Sequence, residues 1–227
     1  MRITAALGTF LLVSAGVWLR AQAPETPSKD APGKEVPVRA VGLPPRASPA
    51  DYQYRAQAGA VTVVAEFMGH GVPTEEGGPY STENYVVVEA GLFGAPGAKI
   101  QLSYRDFSLR INGKKQAEPG QPYVTVFPNL KDPDWEPPAS ALGGTTSIGG
   151  AGGTQSDSPK VFPKMPIELR HLMEQRVLKA SLSEGERSLP QAGLLFFEWR
   201  GETKNIRSME LIYNGPAGKA TLALHQP

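Results

Sequence analysis

Three histidines, two acidic pairs and a few loop aromatics are the side chains in this sequence whose types and settings suit chemistry. His70 stands in Met68-Gly-His-Gly, where glycines on both sides let a ligand or metal come close. No second ligand follows at metal spacing, so an exposed loop histidine is the simpler reading. His171 and His225 read as surface residues. Glu75-Glu76 and Asp132/Asp134 could act as an acid and a base if a cleft brought two carboxylates together. Both pairs fall in turn-rich stretches, where solvated charge is the default. Trp135 lies in a proline-rich loop, with Tyr123 and Phe127 close in sequence. An exposed patch of such rings would suit a glycan or a protein partner. The alternative is that Trp135 folds back to cap the core.

No sequence of the form His-Glu-x-x-His, Gly-x-Ser-x-Gly or Ser-x-x-Lys occurs. Six glycines between Gly143 and Gly153 lack the Gly-Lys-Ser/Thr ending of a phosphate loop. No catalytic residue, metal or cofactor is therefore assigned. The chain has no cysteine, which removes disulfides, thiolate catalysis and a lipid-anchored lipoprotein. Lys and Arg number 23 against 22 Asp and Glu, so charge offers no reason to expect nucleic acid.

The elements that must position these residues begin with an export signal. Arg2, the apolar run Ile3–Leu19 and Ala21-Gln-Ala23 form a signal peptide cleaved after Ala23. The run is too short to span a bilayer, so no transmembrane segment is expected after cleavage. Export without cysteines fits a bacterial periplasm or exterior. Residues 24–50 hold seven prolines, and the expectation is a disordered tether over 24–55. Residues 56–227 then form one β-sandwich domain with a flexible insertion at 128–163.

Within that domain two strand-rich blocks need each other. In the first, Val61, Val63, Ala65 and Phe67 alternate, as do Phe107, Leu109 and Ile111. Tyr85-Val-Val-Val-Glu-Ala-Gly-Leu-Phe reads as a central strand. Asn112-Gly113 predicts a type I′ turn into a hairpin at Lys114-Lys115. Pro122-Tyr-Val-Thr-Val-Phe-Pro predicts another short strand. In the second block, Gly193-Leu-Leu-Phe-Phe-Glu-Trp is apolar enough to be buried on both faces. Ala220, Leu222 and Leu224 share one face of the closing strand. Between the blocks, Leu169, Leu172, Met173, Val177 and Ala180 predict one amphipathic helix at about 166–183. The fold class that follows is mainly β: an immunoglobulin-like antiparallel β-sandwich with one helix and long Gly/Pro-rich loops.

The order Tyr85-Val-Val-Val-Glu, Asp106-Phe-Ser-Leu-Arg-Ile-Asn-Gly, Leu194-Leu-Phe-Phe and a closing hairpin resembles the DUF4352-type, immunoglobulin-like exported domains. The stretches Asp106–Lys115 and Leu211-Ile-Tyr-Asn-Gly-Pro-Ala-Gly-Lys are similar to uncharacterised secreted bacterial proteins. The resemblance covers about 60–130 and 165–226. It implies a fold and no active site. The expected function is thus an exported, non-enzymatic envelope protein acting through an unidentified envelope protein or a glycan. The alternatives are a carbohydrate-binding module using loop aromatics, and a hydrolase using loop carboxylates or His70. Loops 69–80 and 128–163 would make a site if the fold gathers them.

Overall fold

In a computed structural model, residues 40–136 and 165–225 are described. They fall in one compact unit, Pro37–Pro227. The signal segment, the Ala23 cleavage site, residues 24–39 of the expected tether and 137–163 of the expected insertion lie outside them.

In chain order the elements are β1 (Tyr54–Ala58), β2 (Val61–Gly69), β3 (Gly71–Val72), β4 (Tyr80–Thr82), β5 (Tyr85–Phe93), β6 (Lys99–Leu102) and β7 (Phe107–Ile111). Then follow β8 (Glu118–Pro119), β9 (Leu130–Lys131), helix α1 (Ile167–Ala180), β10 (Gly185–Ser188), β11 (Gln191–Glu198), β12 (Met209–Gly215) and β13 (Gly218–Leu224). The central sheet has the order β1-β2-β5-β11, and a second sheet has the order β13-β12-β7-β8. Their strand pairs are antiparallel. Two small sheets, β3-β4-β9 and β10-β6, complete the pairing.

Each main sheet mixes the two sequence blocks: β11 pairs with β5, and β12 pairs with β7. The period-two faces of β2, β7 and β13 meet in one core, with Val86, Val88, Leu195 and Phe197 from the central strands. The other face of the central sheet is also covered. Val87, Leu194 and Phe196 pack against Met173, Val177 and Ala180 of α1, and against Val72, Tyr80 and Leu130 of the small sheet. A continuous apolar strand such as β11 needs such double cover, because both rows of its side chains must leave water. The fold is a mainly antiparallel β-sandwich with one helix on its outer face.

Four details depart from expectation. First, residues 40–55 are part of the domain. Gly42 N–H donates to Lys179 O at 2.9 Å, and Leu43 bridges Ala192 of β11. Gly42 has φ +90°, and a Cβ there would stand 2.3 Å from Ala192 O, so only glycine allows this approach. Tyr52 is buried, with its ring edge-on to Phe93 at 5.8 Å. Seven prolines hid Leu43, Arg46 and Tyr52, whose partners lie in distant strands.

Second, α1 ends at Ala180, and Leu169 and Leu172 are 46% and 41% exposed. Met173, Val177 and Ala180, at i, i+4 and i+7, already fill the contact with β5 and β11. Third, Pro122–Pro128 forms no strand. Tyr123–Thr125 and Phe127–Asn129 are 3₁₀ turns. Prolines at 122 and 128 cannot donate to a ladder, and only Gln121 bridges β11, at Phe196. Fourth, Asn112 and Gly113 take positive φ of 54° and 65°, as the turn requires. The strand that returns beside β7 is Glu118–Pro119, four residues beyond the expected one.

Candidate functional site

A β-bulge opens the site. Register between β2 and β5 shifts between Phe67 and Gly69, and Gly69 turns at φ +63°. The chain leaves the central sheet there and builds the small sheet on its outer face. Ser81 and Thr82 of β4 pair with Lys131 and Leu130 of β9. The loop before β4 and the loop after β9 are therefore brought together. A Cβ on Gly78 would stand 2.8 Å from Asp134 Oδ2. The fold gathers the described parts of the two loops that the sequence left apart.

Arg176 of α1 reaches into this gathering. Its Nη1 donates to the Tyr80 hydroxyl at 2.7 Å. Its Nε is buried and has no hydrogen-bond partner among the described residues. The Tyr80 hydrogen bond raises the Arg176 pKa above its ordinary value; burial opposes this, and the charges of Glu76 and Asp132 add to the rise. A Cβ on Gly77 would meet Nη1 at 2.5 Å, so the loop passes hard against the guanidinium. Beside it lies a small, partly open pocket of about 40 Å³. Arg176, Lys179 and Ala180 of α1 form one wall, Thr74, Glu75 and Glu76 another, and Gly42 and Leu43 the third.

A second charged group sits under the N-terminal segment. Glu66 and Glu89 are direct partners in the β2–β5 register. Like charges so placed repel. Arg46 Nη2 pairs with both carboxylates, at 3.2 Å from Glu89, and its Nη1 donates to Asp51 O at 2.7 Å. The guanidinium also lies 4.5 Å from the centre of the Tyr52 ring. Burial lowers the Arg46 pKa, and the Glu89 and Glu66 charges outweigh it, so the net shift is upward. Burial raises the Tyr52 phenol, while the Arg46 backbone N–H bonded to it pulls the other way. Chemically the cluster is an ion triad that ties the segment to the sheet.

The residues singled out in the sequence fall in separate places. His70 lines another groove, with Ser81, Asn84, Lys131 and Arg200. Its Nδ1 is 2.7 Å from Tyr85 O, and its Nε2 is 2.9 Å from Gly201 O. Both ring nitrogens thus face backbone carbonyls, and the ring pins two strand ends together. A neutral imidazole donates to only one of these carbonyls at a time, the tautomer deciding which. The rings of Tyr123 and Phe127 lie 5.7 Å apart, tilted by 43°, and pack against the outer core. Trp135 is half-buried, with its backbone N–H donating to Asp132 O at 3.2 Å. It makes no ring contact with Tyr123 or Phe127 among the described residues. His171 sits on the exposed helix flank, 3.5 Å from Glu174. Among the described residues no group of three His, Cys, Asp or Glu is placed to hold a metal, and no helix is long and apolar enough to cross a membrane.

Sequence reasoning missed Arg46, Glu89, Arg176 and Lys179. Glu89 carried a signal, being a carboxylate inside Val86-Val-Val-Glu-Ala-Gly-Leu, a strand too apolar to have a wet side. A buried carboxylate demands a partner. Arg176 carried none, since nothing in α1 distinguishes it from Arg170.

Comparison with known proteins adds little to this geometry. No family model matches the chain, so the resemblance to DUF4352-type domains has no such match behind it. No curated protein matches it either. The crystal structure of a candidate lipoprotein (ycdA) from Bacillus subtilis is similar over 75% of this chain, at 9% identity and a TM-score of 0.35. This chain spans only 38% of that one, and a likeness so slight carries no functional argument.

Proposed function

We propose that this chain is an exported, non-enzymatic β-sandwich protein of the bacterial envelope that acts by binding. Its contact end is the loop cluster on the outer face of the central sheet. One observation carries the reading: loops 73–79 and 132–135, the last turns of α1 and Gly42–Leu43 converge around Arg176 and an open pocket. Variable loops on a rigid sheet are where binding surfaces are built. The export signal read from the sequence supports a location in the periplasm or outside the cell.

The test is site-specific photocrosslinking in envelope extract, with the photoreactive residue at exposed Glu75 and, as control, at exposed Thr221 on β13. Adducts from position 75 and none from 221 are the expected result. Equal labelling, or a free monomer from both, rejects the loop cluster as the contact end.

A second reading rests on Trp135, half-exposed in the same cluster. A glycan would stack on that indole. A glycan array with W135A as control decides it: no signal, or a signal indifferent to the substitution, removes the reading.

A further inference from the structure

His70 sits where the chain leaves the central sheet. Gly69 turns at φ +63° beside the bulge between β2 and β5, and β3 begins at Gly71. The His70 carbonyl accepts the Thr82 N–H at 3.0 Å, which ties its backbone to β4. Its ring lies between two further carbonyls, with Nδ1 2.7 Å from Tyr85 O and Nε2 2.9 Å from Gly201 O. A carbonyl oxygen only accepts, so each contact is a hydrogen bond only when its nitrogen carries a proton. The neutral imidazole has one such proton. Its other nitrogen then turns a lone pair toward an oxygen lone pair at hydrogen-bond distance. The imidazolium has two protons and satisfies both carbonyls, through hydrogen bonds that its charge strengthens.

We propose that the His70 ring is a proton-operated clasp between the start of β5 and the loop after β11. The doubly protonated ring holds both. On losing a proton it keeps Tyr85 and releases Gly201. The two ends are unequal. Tyr85 is fixed by its pairing with Glu198 in the β5–β11 register, and its contact with the ring is the shorter. Gly201 lies outside any strand, between β11 and the 3₁₀ turn Thr203–Asn205. The neutral ring therefore carries its proton on Nδ1, and the loop at Gly201 is the part that moves. A Cβ on Gly201 would stand 3.0 Å from the Trp199 ring, so the loop lies against that indole and its displacement changes the indole's surroundings. Histidine changes charge between about pH 5 and 8. Protonation adds a hydrogen bond here, so the second tie is present at the acid end of that range and lost as the pH rises. Protons reach the ring through the open groove that His70 shares with Ser81, Asn84 and Arg200. The charged groups around that groove are matched among themselves: Lys131 of β9 pairs with Glu83, Arg200 with Glu198 at 2.8 Å, and Lys204 with Glu202 at 2.7 Å. The Tyr85 hydroxyl donates to Thr125 O at 3.3 Å. The response is thus carried by the ring and its two carbonyls. The clasp does not depend on the loop cluster being a binding end, yet it sits at the root of the small sheet that carries that cluster.

The test titrates the ¹⁵N-labelled chain from about pH 5 to 8, reading the His70 ring nitrogens, the backbone amides beside Tyr85 and Gly201, and the Trp199 indole N–H. Expected at the acid end are protons on both ring nitrogens. At the alkaline end Nδ1 alone keeps one. The Gly201 and Glu202 amides and the Trp199 indole should shift on the same curve as the ring, while the Val86 amide stays in place. Hydrogen exchange separates movement from the mere field of the charge. The Asn205 and Ile206 amides close the turn after Gly201 by donating to Glu202 O and Thr203 O. Corrected for its intrinsic pH dependence, their exchange should be about tenfold or more faster at the alkaline end, the worth of one hydrogen bond to a charged group. H70Q has no titrating ring and should abolish both the shared curve and the change in exchange. H171Q and H225Q should leave them intact. Should H70Q fold poorly, the ring nitrogens and the exchange of the unsubstituted chain decide alone. The clasp is overturned if the neutral ring carries its proton on Nε2, if exchange at Asn205 and Ile206 is the same at both ends, or if the response survives in H70Q.

Discussion

On its inner face the central sheet meets mainly the second sheet, with Ile100 and Leu102 of β6 and Leu182, Leu189 and Ile206 of connecting segments in the same apolar core. On its outer face it meets several partners, delivered from separate parts of the chain: the segment 40–53, the small sheet β3-β4-β9 and helix α1. The inner layer is apolar and buried. The outer layer contains the ion triad of Arg46, the ring of His70 between two carbonyls, and the buried Arg176 Nε that has no hydrogen-bond partner among the described residues. One face holds the fold and the other carries the polar groups that can recognise something. Cover assembled from separate pieces leaves seams, and the pocket beside α1 is such a seam.

The largest expected effect lies on the inner face. Phe197 is fully buried against the second sheet. F197A should cost about 3–5 kcal/mol, from lost transfer energy and the cavity left behind. Denaturant unfolding measures it through the midpoint at unchanged slope. A loss under about 1 kcal/mol would mean that the inner core repacks freely, and the contrast between the faces would fail.

Next comes the ion triad. R46M removes the cation between Glu66 and Glu89 and leaves two facing carboxylates, one of them on a residue only 7% exposed. Breaking a fully buried pair costs about 3–5 kcal/mol; with a third of Arg46 open to water, about 1–2 kcal/mol is expected. R46M/E89Q should recover most of the loss, because the repulsion goes with the charge. If the double variant is no more stable than R46M, the triad contributes through packing of Arg46 on Tyr52 instead.

How much of this was legible follows the same division. The inner face was readable because alternation at Val61–Phe67 and Phe107–Ile111 encodes orientation directly, and Asn112-Gly113 encodes its turn. The double burial of β11 was readable from the run Leu194–Phe197. The outer face was not, because its contacts join residues far apart in sequence and no local period records them. Leu169 and Leu172 fit the helical stripe as well as Met173 does, and only the neighbouring sheet decides which are covered. Pro122–Phe127 alternated like a strand, but the missing donors at its ends turned it into 3₁₀ turns. His70 read as an exposed loop histidine and is instead part-buried, its ring between two backbone carbonyls. Arg176 was invisible, since its value comes from loops 73–79 and 132–135 arriving beside it.

A pH measurement sharpens the comparison at lower cost. Each face buries one tyrosine whose phenol is raised above its ordinary pKa. For inner Tyr213 burial is the main cause, opposed by the Ala217 N–H bonded to its oxygen at 3.3 Å. For outer Tyr52 burial again leads, and Arg46 opposes it. A raised folded pKa means stability that is present below the unfolded value near 10 and lost as pH climbs through the folded value. Stability should therefore fall above pH 10, with phenolate absorbance rising together with unfolding. Y213F should cost up to about 1 kcal/mol at neutral pH for the lost hydrogen bond, and should flatten the alkaline decline. An unchanged alkaline slope in Y213F would assign the decline to Tyr52 and the outer face.

The smallest expected effect tests the outer face where nothing covers it. Leu169 and Leu172 are large, apolar and nearly half exposed. If α1 contributes to the core only through Met173, Val177 and Ala180, then L169Q/L172Q should shift stability by no more than about 0.5 kcal/mol, the usual range for surface substitutions. V177A, one turn further along and fully buried, should cost several times as much. Thermal unfolding of the two variants side by side separates the cases. A loss in L169Q/L172Q comparable to V177A would show that the first turns of the helix are held against another surface, and the outer face would have to be read as more completely covered than its described neighbours account for.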